Sequence, residues 1–263
     1  MIDKLFTLES ITDISIKNNN ADKILIEKVL RAFSLLEGLA EQNLDFVFKG
    51  GTSLILLLDS IKRLSIDIDI IIEEKPEEFD TLLKGIAKNK GFTKVLNQVR
   101  ISQTNVPKTH YKFYYIPVIT TNLSEDNILL DILFEKPYYN TLKHKIIKFP
   151  LLSHHPSQIK VKVPSLEDIL GDKLTAFAPN TTGIPYFKND KSMRMEIIKQ
   201  LYDIANLFDV ANDLNLIKGT FIKFATIELG YRNQSTKSYT DVLDDVYNTA
   251  LCITLRGADG NGN

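Results

Sequence analysis

The sequence predicts an α+β chain, with strands and helices mixed over the first 150 residues and helices dominating afterwards. Two observations carry this. Segments of β-branched and aromatic residues bounded by turn signals crowd the first half, and beyond Ser165 the apolar residues return at the spacing of helices. With 263 residues, 44% apolar and 25% charged, the chain has the composition of a folded globular protein and room for one large domain or two smaller ones. A formal charge of -1 argues against a general nucleic-acid binder, so any nucleic-acid contact must be local. The single cysteine, Cys252, excludes an internal disulfide and a thiolate zinc cluster and fits a reducing compartment. The start "MIDKLFTLES" lacks a leader-like apolar core and no later segment has the length of a membrane span, so the expected location is cytoplasmic, with no membrane partner.

Taken in order, Ile24, Leu25, Val29, Phe33, Leu36, Leu39 and Ala40 recur at helical spacing and predict an amphipathic helix between Ala21 and Asn43, with charges on its other side. "LDFVFKGG" reads as a short strand ended by paired glycines, with Thr52 or Ser53 as cap of a following helix through Leu54 to Leu58. A second strand after Lys62 projects Ser65, Asp67 and Asp69 to one side and Ile66, Ile68 and Ile70 to the other. A helix is predicted between Pro76 and Lys90, stopped by "KG". Lys94 to Ile101 and Tyr111 to Ile119 follow as antiparallel strands, and "NILLDILFEK" is the strongest strand of all.

The segment from Thr141 to Lys162 is the most basic part of the chain, with Lys143, Lys145, Lys148, Lys160 and Lys162. His144, His154 and His155 also lie there and, lacking paired ligand spacing, are expected at the surface. "PSLEDILGDKLTAF" starts a helix with Ser165 and Asp168 in capping spacing, and Met193 to Ala211 forms a longer one. "APNTTGIPYFKND" between them is a turn-rich loop, and "RGADGNGN" a flexible tail. The expected division is 1–150, 151–256 and a tail at 257–263.

Chemistry concentrates where carboxylates interrupt apolar strands. Asp67 and Asp69 share a strand face, and Asp131 sits between Leu129 and Leu133 on a face of another strand. Carboxylates are poor strand formers and costly to bury unpaired, so three of them at strand centres call for a counter-ion. Together they form a site able to hold two Mg²⁺ ions about 4 Å apart, which would activate a hydroxyl and clamp a triphosphate. A lone aspartate of this kind would more commonly decorate the solvent face of an edge strand. The glycine turn before the acidic strand supplies helix N-terminal N–H groups and close backbone approach, both of which attract phosphate oxygens.

"KGGTSL", "RLSIDIDI" and "LLDI" resemble the nucleotidyltransferases of the DNA polymerase β superfamily. The form R-x-S-x-D-x-D, here Arg63, Ser65, Asp67 and Asp69, resembles the AbiEii/AbiGii toxin family, and the similarity extends over roughly Phe46 to Leu207. The resemblance implies a polymerase β-like mixed sheet with flanking helices over 1–150, followed by a mainly helical C-terminal domain. It implies that Asp67 and Asp69 ligate metal and that Asp131 completes the metal site and helps activate the attacking hydroxyl. Gly50, Gly51, Thr52, Ser53, Ser65 and Arg63 would bind nucleotide. Such enzymes transfer nucleotides from a nucleoside triphosphate, in some cases to the 3′ end of tRNA.

Lys173 falls within the apolar stripe of Leu166, Ile169, Leu170 and Phe177, so it either snorkels or points into a polar cleft; its family counterpart is thought to contact the triphosphate. Lys199 and Asp203 stand four residues apart, placed opposite Leu201, Ala205 and Phe208. They read either as a solvated ion pair or as part of the family's Lys/Arg-Asp-x-x-Asp pattern, in which Gln200 here replaces the middle acid. Leu129 also departs from the family, which often has lysine there.

The expected function is therefore a Mg²⁺-dependent nucleotidyltransferase moving a nucleoside monophosphate from an NTP to a hydroxyl. RNA such as a tRNA 3′ end is the expected acceptor, the role that of a toxin in a toxin–antitoxin or abortive-infection system, with an antitoxin partner from a neighbouring gene. The alternatives are a protein or small-molecule acceptor, and a catalytically idle nucleotide- or partner-binding scaffold.

Overall fold

The computed structural model describes residues 5–98, 108–119, 123–152 and 157–255, so His154, His155, Ile101 and the C-terminal tail lie outside the described residues. The first helices are α1 (Leu8–Lys17), opened by the Thr7 hydroxyl accepting from Ser10 N, and α2 (Lys23–Ala40), capped by Asp22. After β1 (Val47–Lys49) and α3 (Gly50–Leu57) come β2 (Ile68–Ile72), α4 (Phe79–Asn89), β3 (Lys94–Gln98), β4 (Lys108–Tyr115) and β5 (Asp126–Phe134). β6 (Leu142–Ile146) and β7 (Lys160–Pro164) complete a seven-stranded mixed sheet of order β3-β4-β5-β2-β1-β7-β6. β2 runs parallel to β5 and antiparallel to β1, while β7 is parallel to β1.

Alternation along the strands sorts the sheet into two faces. Ile68 and Ile70 of β2 lie level with Leu130 and Ile132 of β5, and Tyr111 and Phe113 of β4 oppose Leu130 and Ile128; all are buried. α2 and α4 pack with these strands, with Phe79 of α4 set edge-on to Tyr111 and Phe134 at about 6 Å. The polar residues of the central strands are thereby displaced to the other face.

α2 departs from a simple amphipathic helix, because its charged residues Glu27, Arg31 and Glu37 are buried too. Glu27 accepts from Val118 N at 3.1 Å and from Arg31, whose guanidinium lies 3.6 Å from the Phe6 ring centre, and Glu37 pairs with the buried Lys90 at 3.1 Å. Each buried charge is met by an opposite one or by backbone N–H groups, which is the condition for tolerating it.

The chain divides into two compact units. The described residues up to 137, together with 143–163, make the first, and 138–142 with 164–255 the second. The basic segment thus joins the first unit beyond residue 150, because β7 pairs with β1 through Val47 and Lys162. In the second unit α5 (Leu166–Ala176) packs against α6 (Arg194–Phe208) and α7 (Leu214–Tyr231), and α8 (Tyr239–Leu255) closes a core of Ala178, Phe221, Ala225, Leu229 and Val242. The loop before α6 contains a small hairpin, β8 (Phe187–Lys188) with β9 (Lys191–Ser192). Among the described residues no helix is long and apolar enough to cross a membrane.

Candidate functional site

β1 runs into α3 without an intervening loop, and Gly50 makes this passage possible. Its φ is +75°, and a Cβ there would stand 2.1 Å from Oδ2 of Asp69. Glycine is thus required twice, by the backbone and by the carboxylate packed against it. The helix begins earlier than expected: Lys49, three residues before Thr52, holds the N-cap position with no side-chain cap bond, and Thr52 and Ser53 lie inside α3. The Thr52 hydroxyl donates to the Asp67 carbonyl at 2.5 Å and that of Ser53 to the Gly50 carbonyl at 2.8 Å. Both are buried, so they tie the turn to the acidic segment instead of capping the helix. Arg63 and Ser65 lie against Gly51, where a Cβ would meet the guanidinium at 2.5 Å and the Ser65 hydroxyl at 3.4 Å.

The acidic residues assemble through strand register. β2 starts at Ile68, so Asp67 lies exposed just ahead of the strand, whereas Asp69 is within it and half-buried. Asp69 is level with Asp131 on the neighbouring parallel strand, with Lys49 on β1, and Asp131 in turn opposes His110 on β4. A polar row Lys49, Asp69, Asp131, His110 thus crosses four strands on one face. Burial, and then the nearby charges of Asp131 and Asp67, push the Asp69 carboxyl up to about 7, against the opposing pull of Lys49 and Lys108. Oδ1 of Asp131 is 2.7 Å from Nδ1 of His110, whose side chain is 12% exposed against 28% for Asp131.

Among the described residues no three of these groups already surround one point at ligating distance. The chemistry of the donor set nevertheless fits a divalent cation: three carboxylates, oxygen donors suited to Mg²⁺, gather where burial and then their mutual repulsion raise the Asp69 carboxyl. Asp67, Asp69 and Asp131 are the residues that would hold it.

Lys173 and Asp203 belong to the second unit. The Lys173 residue is buried, at 6% exposure, and its ammonium pairs with Asp203 Oδ2 at 2.8 Å and donates to Gln200 Oε1 at 3.1 Å. The face expected for α6 is corrected. Ile197, Asp203, Ile204 and Leu207 are its buried residues, while Ala205 and Phe208 are exposed, because the Lys173 ammonium draws the Asp203 carboxylate inward. Lys199 lies one turn before Asp203 on the same helix and is exposed. Gln200, substituted for the family's acid, keeps a polar contact with the same lysine.

Two residues escaped the sequence reading. His110 carries a signal only once register is known, as a lone histidine in the alternating strand "KTHYKFYY". Asp168, read as part of a capping box, is fully buried and accepts from Asn140 N and Nδ2, Thr141 N and the Ser165 and Thr220 hydroxyls, all at 2.7–3.0 Å. Five donors satisfy it, which marks a structural anchor of the second unit.

A family model described as Nucleotidyl transferase AbiEii toxin, Type IV TA system, matches residues 34–248. No curated protein matches the sequence. Among solved structures, the fold is similar to MenT4, a nucleotidyltransferase toxin of Mycobacterium tuberculosis, at 16% identity and TM-score 0.52, over 81% of this chain and 70% of that one. Weaker likenesses are to JHP933 from Helicobacter pylori (16% identity, TM-score 0.44, 84% and 87% of the two chains) and to an antigenic nucleotidyltransferase-like protein from Paracoccidioides brasiliensis (16%, 0.45, 80% and 91%). At these identities the likeness is one of fold.

Proposed function

The chain belongs to the AbiEii nucleotidyltransferase toxin family of type IV toxin–antitoxin systems, and from that premise we propose that it moves a nucleoside monophosphate from an NTP to an RNA hydroxyl, releasing pyrophosphate. The observation that best supports this reading is the juxtaposition of Asp69 and Asp131 on parallel strands, with Asp67 near enough to raise the Asp69 carboxyl further. In this reading Asp67, Asp69 and Asp131 would hold divalent metal, which would supply acidification of the acceptor hydroxyl and charge neutralisation at the α-phosphate. Asp131 orients the acceptor hydroxyl and takes up its proton. The N–H groups that open α3 at Gly50 and Gly51 receive phosphate oxygens, as helix N-termini do. Arg63 and Ser65 flank that turn on the nucleotide side, and Thr52 and Ser53 fix its shape.

Lys173 is proposed to contact the triphosphate, exchanging part of its bond to Asp203 for phosphate; Lys199 and Asp203 support it. The acceptor is taken to be a tRNA 3′ end, with Lys143 and Lys145 of β6 and Lys160 of β7 as a local phosphate-binding surface. The family's type IV system implies an antitoxin counterpart, and a cytoplasmic location is proposed with it. The test is incubation of the protein with Mg²⁺, purified tRNA and each α-labelled NTP. Label entering tRNA only with intact Asp67, Asp69 and Asp131 supports the reading. Label entering the protein itself would keep the chemistry and discard the RNA acceptor.

A further inference from the structure

His110 is an ionisable partner of the acidic row that lies outside the family motifs, and its placement is built by the sheet. It sits on β4 directly opposite Asp131, its side chain largely buried, with Nδ1 2.7 Å from Asp131 Oδ1. An ionised carboxylate only accepts hydrogen bonds, so in this contact Nδ1 is the donor. One oxygen of Asp131 is then engaged by an N–H, and the other stays outside that bond. The carboxylate plane is set by this bond, since rotation about the Asp131 side chain would break it.

We propose that His110 is a positioning residue of the nucleotidyl-transfer centre, donating from Nδ1 to hold Asp131 as a one-oxygen ligand for the divalent cation; this rests on the role assigned to Asp131 above. Hydrogen bonds to a ligating carboxylate orient it and limit how it can bind metal, and their loss typically weakens metal affinity or activity about 10–100-fold. Without the donor, Asp131 would rotate freely between one- and two-oxygen modes and toward Asp69, whose charge it already opposes.

Asparagine tests the claim because its Nδ2 stands on Cγ as the histidine Nδ1 does, whereas phenylalanine fills the ring space without a donor. Mn²⁺ binding to the full-length protein would be followed by electron paramagnetic resonance, alongside the Mn²⁺ concentration for half-maximal transfer, for wild type, D69N, H110F, H110N and H110A. Circular dichroism would establish that each variant is folded. The proposal expects H110F and H110A to bind Mn²⁺ roughly tenfold more weakly or worse, and H110N to recover to within about threefold of wild type. It also expects the H110F transfer deficit to shrink as Mn²⁺ is raised. Wild-type Mn²⁺ affinity in folded H110F, or no recovery in folded H110N, would overturn it. If wild type binds no Mn²⁺, or D69N binds as tightly as wild type, the acidic centre itself has been misassigned and the role of His110 falls with it.

Discussion

Asp69 concentrates the electrostatic tension of the acidic centre, since burial and two neighbouring carboxylates hold its carboxyl near 7 while the unfolded chain would ionise it at 3.8. The folded state therefore binds the extra proton between these values, and its stability falls as pH rises from about 4 to about 7. Asp69→Asn removes this dependence. In metal-free buffer the variant should gain on wild type across that window and keep the gain above it, at most about 4 kcal/mol for a shift of this size. Parallel thermal melts at pH 4 and pH 8 measure it, and a gain independent of pH would contradict the electrostatic account. Added Mg²⁺ should narrow the gap at pH 8, because a ligand that binds only the wild-type folded state stabilises it alone. Lys173 gives a second residue-scale prediction. Lys173→Met strips the buried Asp203 of its cation and should cost about 3–5 kcal/mol, much of it recovered in Lys173→Met/Asp203→Leu; denaturant titrations of the single and double variants decide this.

At the scale of elements, the β1–α3 passage depends on one residue with no side chain. Gly50→Ala would place a Cβ in the left-handed region and against the Asp69 carboxylate, so we expect a loss of about 1–3 kcal/mol together with at least a tenfold fall in transfer. A variant with undiminished activity would show that the turn and the carboxylate are not coupled. α5 depends in the same way on Asp168. Asp168→Asn should destabilise the second unit by about 1–3 kcal/mol, because the amide presents an NH₂ to groups that themselves donate. Far-ultraviolet circular dichroism against denaturant reads this directly. These elements also show where sequence reasoning stops. The alternation of Ile68, Asp69 and Ile70 revealed a strand, but Asp67 falls outside its ladder because Thr52 binds the Asp67 carbonyl instead. The helix after the glycine pair was visible, yet its first residue was not, because Lys49, with no side-chain cap bond, holds the N-cap position expected of Thr52 or Ser53.

Across the whole molecule, the residues with strong local patterning were legible: the seven-stranded sheet's β5, the Gly50–Gly51 turn and the helices from Ser165 onward. What pattern alone cannot carry is long-range register. The meeting of Asp69 with Asp131 spans more than fifty residues, and that of His110 with Asp131 follows from strand pairing that one sequence does not encode locally. The Lys173–Asp203 pair was missed for the same reason, since each helix taken by itself offered a plausible surface for its charge. The acidic centre lies in the first unit and this pair in the second, and both kinds of contact were reached only once strands and helices were assembled. The central claim, that Asp67, Asp69 and Asp131 support nucleotidyl transfer to RNA, is tested most directly with α-labelled NTPs, Mg²⁺ and purified tRNA, comparing wild type with the folded Asp67→Ala and Asp131→Ala variants. The account predicts label in tRNA with wild type and a loss of at least a hundredfold in each variant; wild-type labelling by either variant would contradict it.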